Sequence, residues 1–223
     1  MFYSSQAITL SLKRYTDSSY IAKAFTEKHG LVTFFIRVNK KKLPSLRNKF
    51  YALNIVKLEY RVKKENDSLS TLKEIETLGA QKLDFNIHQN ALKSFIAEVL
   101  IIILKAGDVQ HELFMFSKKM VEFVESTYEN YIYVSIYFCV HIFDLLGISI
   151  VNNTTLLSTL GITSKEINFL KDLAHGNELD SDLVPNSIDL FVLFDNLITY
   201  FKSEFHIEKP IHSLDVFRTI YQD

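Results

Sequence analysis

Residues 31–38 read LVTFFIRV, and the alternation in them decides the fold. Val32, Phe34, Ile36 and Val38 share one face while Thr33, Phe35 and Arg37 share the other, the period of two that marks a half-buried strand. Gly30 stands just before it, after Glu27-Lys28-His29, where a hairpin needs positive φ, so Tyr20–Thr26 is predicted to be the paired strand behind the turn. Further back, in Ala7–Lys13, the residues Ile8, Leu10 and Leu12 alternate with Ala7, Thr9, Ser11 and Lys13. Downstream, Asn54–Val62 places Val56, Leu58, Tyr60 and Val62 inward and Lys57, Glu59 and Arg61 outward. Leu69–Glu76 is a weaker fifth strand after a polar turn, Lys63–Ser68 (KKENDS). Five short antiparallel strands within residues 1–80 predict a small closed barrel of the OB-fold type, a frequent binder of single-stranded nucleic acid.

From about residue 86 the period lengthens to that of a helix. Asn90–Lys105, Gln110–Thr127 and Tyr131–Leu146 carry apolar residues at three- and four-residue spacing, with Gly107 and Gly147 as stops. Thr163-Ser164-Lys165-Glu166 is a capping box opening a helix through about Ala174, before Gly176. Pro185-Asn186 precedes another helix, Ser187 to about Phe205, and Ser213 is the expected cap of a last short one. The predicted fold class is therefore α+β: an OB-fold barrel over residues 1–80, then an all-helical domain over residues 81–223.

Length and composition fit one large packed domain or two small ones. Of the 223 residues 48% are apolar, enough for real cores, and six Gly and three Pro leave little for low-complexity linkers. Cys139 is the sole cysteine, which excludes an internal disulfide and a four-cysteine zinc site and points to a reducing compartment. The N-terminal MFYSSQAITLSLKRY lacks the basic leader and apolar run of a secretory signal. Phe95–Leu104 is too short to span a bilayer, and Tyr131–Ile150 contains His141 and Asp144, so both read as buried helices. A cytoplasmic protein is expected.

Net charge is −1, and the sum hides two opposed halves. Residues 1–80 hold 15 Lys/Arg against 7 Asp/Glu, whereas residues 81–223 hold 10 against 19. A basic half of this kind points to an anionic partner, most often nucleic acid or an anionic membrane surface.

Motifs for catalysis are missing from the sequence. The scattered glycines form no dinucleotide or phosphate loop, and neither GxSxG nor HExxH occurs. The seven histidines (29, 88, 111, 141, 175, 206 and 212) lack ligand spacing, and Cys139 and His141 point apart on a helix. Asp180 and Asp182 are a loop pair whose ordinary reading is solvated charge. No catalytic residue, metal or cofactor is expected.

The densest chemical signal is the run Arg37, Lys40, Lys41, Lys42, Arg47 and Lys49, uninterrupted by any acid and read as a loop. Such cations neutralise phosphates largely through counterion release. Lys13, Arg14, Arg61, Lys63 and Lys64 extend the patch, and Phe35 beside Arg37 and Tyr15 after Lys13-Arg14 offer rings on which a base can stack.

These residues also carry a resemblance. Ser11–Val38, with its turn Phe25-Thr26-Glu27-Lys28-His29-Gly30, resembles the opening of the RecO family of recombination mediators. Arg37–Arg47 (RVNKKKLPSLR) followed by Phe50–Tyr60 is similar to the family's basic loop and next strand. Phe143-Asp144-Leu145-Leu146-Gly147 resembles its Leu-Leu-x-x-Gly helix end, and His212-Ser213-Leu214 with Val216-Phe217 its C-terminal segment. Many relatives carry a four-cysteine zinc finger after that helix end; Ile148–Asn153 here has no cysteine, so the resemblance is to a zinc-free branch.

The resemblance implies a protein that binds single- and double-stranded DNA, anneals strands, engages RecR and the C-terminal tail of single-strand-binding protein (SSB), and helps load RecA. Residue by residue only the basic loop matches well, so the resemblance implies DNA contacts from Arg37, Lys40, Lys41, Lys42, Arg47 and Lys49, to which the charge and aromatic reading adds Lys13, Arg14, Phe35, Lys63 and Lys64. In the helical half it implies partner contacts from Lys93, Lys118, Lys119 and Arg218. Two rival classes stay open: an interaction scaffold whose basic barrel docks an acidic protein partner or the chain's own acidic half, and a nucleic-acid enzyme with dispersed carboxylates such as Asp180, Asp182 and Asp189.

Overall fold

The computed structural model describes residues 1–62, 69–79, 86–126, 129–148, 150, 161–176 and 188–222. Five strands and a short helix come first: β1 (Tyr3–Arg14), β2 (Ser19–Thr26), β3 (Gly30–Arg37), α1 (Leu43–Lys49), β4 (Ile55–Arg61) and β5 (Leu69–Thr77). They close in the order β1-β2-β3-β5-β4, with β4 returning to β1, which makes the five-stranded OB-fold barrel. Four pairings are antiparallel, but β3 meets β5 in parallel over Thr33↔Leu69 and Phe34↔Ser70, where the sequence predicts antiparallel pairing.

The barrel core follows the alternation in β3 and β4. Val32, Phe34, Val56, Leu58 and Tyr60 are buried together with Ala7, Ala22 and Ala24, and Leu12, Ile36, Val38, Val62, Leu72 and Ile75 pack against them. In β1 the prediction has the faces reversed. Ala7 lies inside, and Ile8 and Leu10 are buried on the outer side, where a helix packs on β1. A register shift between Thr9 and Ser11 then inserts one residue, so that Leu12 turns inward.

The β2–β3 hairpin is locked by its own side chains. Thr26 Oγ1 donates to the Gly30 carbonyl at 3.0 Å and accepts from the His29 amide at 3.1 Å, and Gly30 has φ +61°. A Cβ on Gly30 would also sit 2.1 Å from the Asp108 carbonyl oxygen, so the position needs both the missing side chain and the left-handed backbone. The His29 ring lies 2.7 Å (Nδ1 to Oη) from buried Tyr60, and burial, with Lys28 beside it, holds its pKa below the usual value.

Three more helices complete this first unit: α2 (Ile87–Ile103), α3 (His111–Ser126) and, from the far end of the chain, the helix His212–Gln222. Asn86 caps α2 by accepting from the amides of His88 and Gln89. Residues 1–126 and 211–223 form one compact unit, so by packing these helices group with the barrel. The last helix packs on α2, with the Phe95 and Phe217 rings 5.7 Å apart. Its expected cap, Ser213, does not serve as one. Instead the Glu98 carboxylate of α2 accepts from the amides of His212 (3.2 Å) and Ser213 (2.8 Å) and from the Ser213 hydroxyl (2.5 Å). Two orphan amides and the positive end of the helix dipole are satisfied from a neighbouring helix.

Residues 127–210 form the second unit, built on α4 (Tyr131–Leu145), α5 (Ser164–His175) and α6 (Leu190–Glu204); the helix 212–222 is α7. α4 packs against both others, with Tyr133 near Phe169 and Phe143 near Tyr200 and Phe201. Gly147 (φ +75°) ends α4 in a Schellman motif: the Ile148 amide donates to the Phe143 carbonyl and the Gly147 amide to that of Asp144. The predicted capping box at Thr163 and Glu166 is formed, and Asp189 caps α6. Gly107 does not end α2, which stops at Ile103 with an extended Leu104. The KKENDS turn, Pro185–Ser187 and Asn152-Asn153 lie outside the described residues. Among the described residues no helix is long and apolar enough to cross a membrane.

Candidate nucleic-acid interface

The outer surface of β1, β2 and β3 is two regions. Toward the hairpin turn it is covered: Phe25 is fully buried with its ring 5.2 Å from Phe114 of α3, α2 packs on β1, and Gly30 and Leu31 bridge to Ala106. Toward the other end it is open. Register there places Ser11, Lys23 and Thr33 in one row and Lys13, Ile21 and Phe35 in the next, with Arg37 one step further along β3. Parity fixes these side chains outward, because Leu12, Ala22, Phe34 and Ile36 between them point into the core. Lys13 and Arg37 are exposed and Lys23 and Phe35 are half-buried. Lys23 escaped the sequence reading, although Ile21 and Lys23 alternate with Tyr20, Ala22 and Ala24 as an outer face would.

Aromatic residues flank this row. Tyr15, 68% exposed, meets Phe35 edge to face at 6.1 Å between ring centroids, and the Arg37 guanidinium lies 5.7 Å from the centre of the Phe35 ring. The turn carrying Tyr15 is closed by hydrogen bonds from the Tyr15 and Thr16 amides to the Ser19 carbonyl, and Val38 donates to Ser18. Arg14 is exposed, but its guanidinium is paired with Asp17 and bonded to the Thr16 carbonyl, which leaves it less available than Lys13.

The basic run continues from the end of β3. Its second half is not the loop predicted from the sequence: Leu43–Lys49 is a helix, with Pro44 in its first turn, and Leu46 and the following Phe50 enter the barrel core. That anchoring leaves Lys40, Lys41, Lys42 and Arg47 exposed. Lys49 is different, half-buried and donating to the Ile75 carbonyl at 2.8 Å. Among the described residues, Arg37, Lys40, Lys41, Lys42, Arg47 and Lys49 form no ion pair. Lys63 and Lys64 lie outside the described residues.

Across the barrel, β4 and β5 present a different surface. Phe2, Tyr3, Ser4, Lys57, Glu59, Glu74 and Glu76 line a shallow pocket. Lys73 pairs with Glu59 at 2.7 Å, a bond that raises the lysine pKa, and both Lys73 and Arg61 lean over the Phe2 ring. Arg61 therefore stands apart from the open row.

The candidate partner cations stand on three helices of the first unit. Lys93 is corrected by its burial: it is 7% exposed and lies 3.5 Å from Glu125, so it is not a surface cation. Lys118 is half-buried and donates to Gln6 at 3.3 Å, Lys119 is exposed, and Arg218 is half-buried on α7. Cys139 is buried, and burial pushes its thiol pKa far up, as expected of a core residue. Among the described residues no group of His, Cys, Asp and Glu gathers as a metal site, while Asp180 and Asp182 lie outside them.

Two comparisons with known proteins bear on this surface. Residues 1–81 match the family model described as Recombination protein O N terminal, which covers the barrel and all of its open row. The chain is also 23% identical to the DNA repair protein RecO of Flavobacterium johnsoniae, across 97% of this chain and 98% of that protein. The first match is confined to the barrel and the second runs through the helices, and together they support the RecO family.

Proposed function

On the premise that the chain belongs with the RecO family, we propose that it is a DNA-repair and recombination mediator which holds DNA on the open end of the β1–β2–β3 face and breaks no bond itself. The observation that carries this reading is a set of exposed cations, Lys13, Arg37, Lys40, Lys41, Lys42 and Arg47, on and beside one end of a barrel face, none paired with a carboxylate among the described residues. Unpaired surface cations keep their full capacity to displace counterions from phosphates, and that gain is indifferent to base sequence. The face takes single strands and duplexes alike by charge.

Strand annealing, engagement of RecR and of the SSB tail, and assistance to RecA loading belong to the same proposal, as does a cytoplasmic, nucleoid-associated setting. Lys119, with Lys118 and Arg218, remains the proposed partner-side cation set. The division into a DNA-binding barrel over residues 1–80 and a partner-binding helical part over residues 81–223 is likewise proposed. A salt titration of binding to a single-stranded oligonucleotide tests the core of the reading. Engagement of six cations gives a log–log slope of about −4, and a slope near zero overturns it.

A further inference from the structure

We infer that Tyr15, with Phe35 and Arg37, forms a stacking site for an unpaired base, which makes this face prefer single strands over duplexes beyond what its charge dictates. The inference rests on the DNA-binding reading above and assigns a specificity residue within it.

The geometry carries the inference in three steps. A ring that served only to fill the core would be covered, yet Tyr15 is 68% exposed at the edge of the cationic row. An exposed ring on a loose loop would lose entropy on binding, yet Tyr15 sits in a turn closed onto Ser19 and lies edge-on to Phe35, so its position is set beforehand. Phe35 in turn is held in register beside Ile21 and Lys13 on one side and carries the Arg37 guanidinium 5.7 Å away on the other. The result is a fixed aromatic surface flanked by phosphate-binding charges.

Such a surface discriminates because of where the π-faces of bases are. In a duplex each base face is already covered by its neighbours, and reaching Tyr15 requires unstacking and unpairing at a cost of a few kcal/mol. In a single strand the faces are open, and one base on an aromatic ring typically strengthens binding by about fivefold or more. The cations contribute to both substrates, so the ratio of the two affinities isolates the rings.

Affinities of the full chain for a fluorescent 20-nucleotide oligothymidylate and for a 20-base-pair duplex, each over a salt series, test this. Tyr15→Ala lowers single-strand affinity about fivefold or more, leaves duplex affinity within about twofold and leaves both salt slopes unchanged. Tyr15→Phe retains the wild-type ratio, since it keeps the ring and loses only the hydroxyl. Equal loss on both substrates, no loss on either, or loss with Tyr15→Phe as well overturns the stacking role. A Lys40, Lys41 and Lys42 triple alanine variant with unchanged salt slopes instead overturns the underlying DNA-binding assignment, and the two failures are thereby distinguishable.

Discussion

On the β4–β5 side of the barrel, Lys73 is taken by Glu59 and leans with Arg61 over Phe2, and Lys57 shares its surface with Glu74 and Glu76. On the β1–β2–β3 side, Lys13, Arg37 and the adjoining Lys40, Lys41 and Lys42 meet solvent with no carboxylate bound to them among the described residues. Both surfaces belong to one barrel, and both carry cations. What separates them is whether the charge is already satisfied within the protein. The second surface divides again along its own length, into an end that α2 and α3 cover and an end left open.

Three measurements break or sharpen that contrast. The largest effect belongs to the covered end: Phe25→Ala removes a fully buried ring packed on Phe114 and costs about 3–5 kcal/mol, while Phe35→Ala at the open end costs about 1 kcal/mol, both read by urea unfolding of the full chain. Equal costs would erase the distinction between the two ends. Next comes the triple alanine variant at Lys40, Lys41 and Lys42. It is expected to bind single strands about a hundredfold more weakly at 0.1 M salt, with the log–log slope reduced by about two, while the melting temperature stays near that of the wild type. The smallest effect is expected on the opposite side. Glu74→Gln with Glu76→Gln shifts DNA affinity by about threefold at most, through the long-range field alone. A tenfold gain would mean that β4 and β5 lie close to the bound strand.

Much of the barrel is legible in the sequence because one face of each strand has to be apolar. Val32, Phe34, Ile36 and Val38 announce β3, and Val56, Leu58 and Tyr60 announce β4, since each alternation survives intact in the core. In β1 the same reasoning misassigns the faces. Ile8 and Leu10 are apolar because a helix covers them from outside, and the core side is served by small Ala7, so hydrophobicity alone points the wrong way. The bulge after Thr9 depends on pairing with β2 and is not visible in one strand's residues.

The candidate site is legible in composition and less so in shape. Six cations within thirteen residues mark it, but α1 hides among them, although Leu43, Leu46 and Phe50 recur at the three- and four-residue spacing of a helix. Lys93 shows the converse. Its charge reads as surface, and only the packing of α2 reveals that it is buried beside Glu125. The Glu98 cap lies beyond sequence reasoning altogether, because donor and acceptor are joined solely by the way two distant helices meet.

That last contact orders events during synthesis. α7 closes over α2 from beyond residue 210, so the side of α2 that holds Phe95 and the Glu98 carboxylate stays bare while the ribosome makes the whole of residues 127–210. The barrel can close early, but the unit it belongs to is finished late. Arrest of translation before His212 would release a chain with an apolar, acid-bearing helix face uncovered, a natural target for chaperones and proteases.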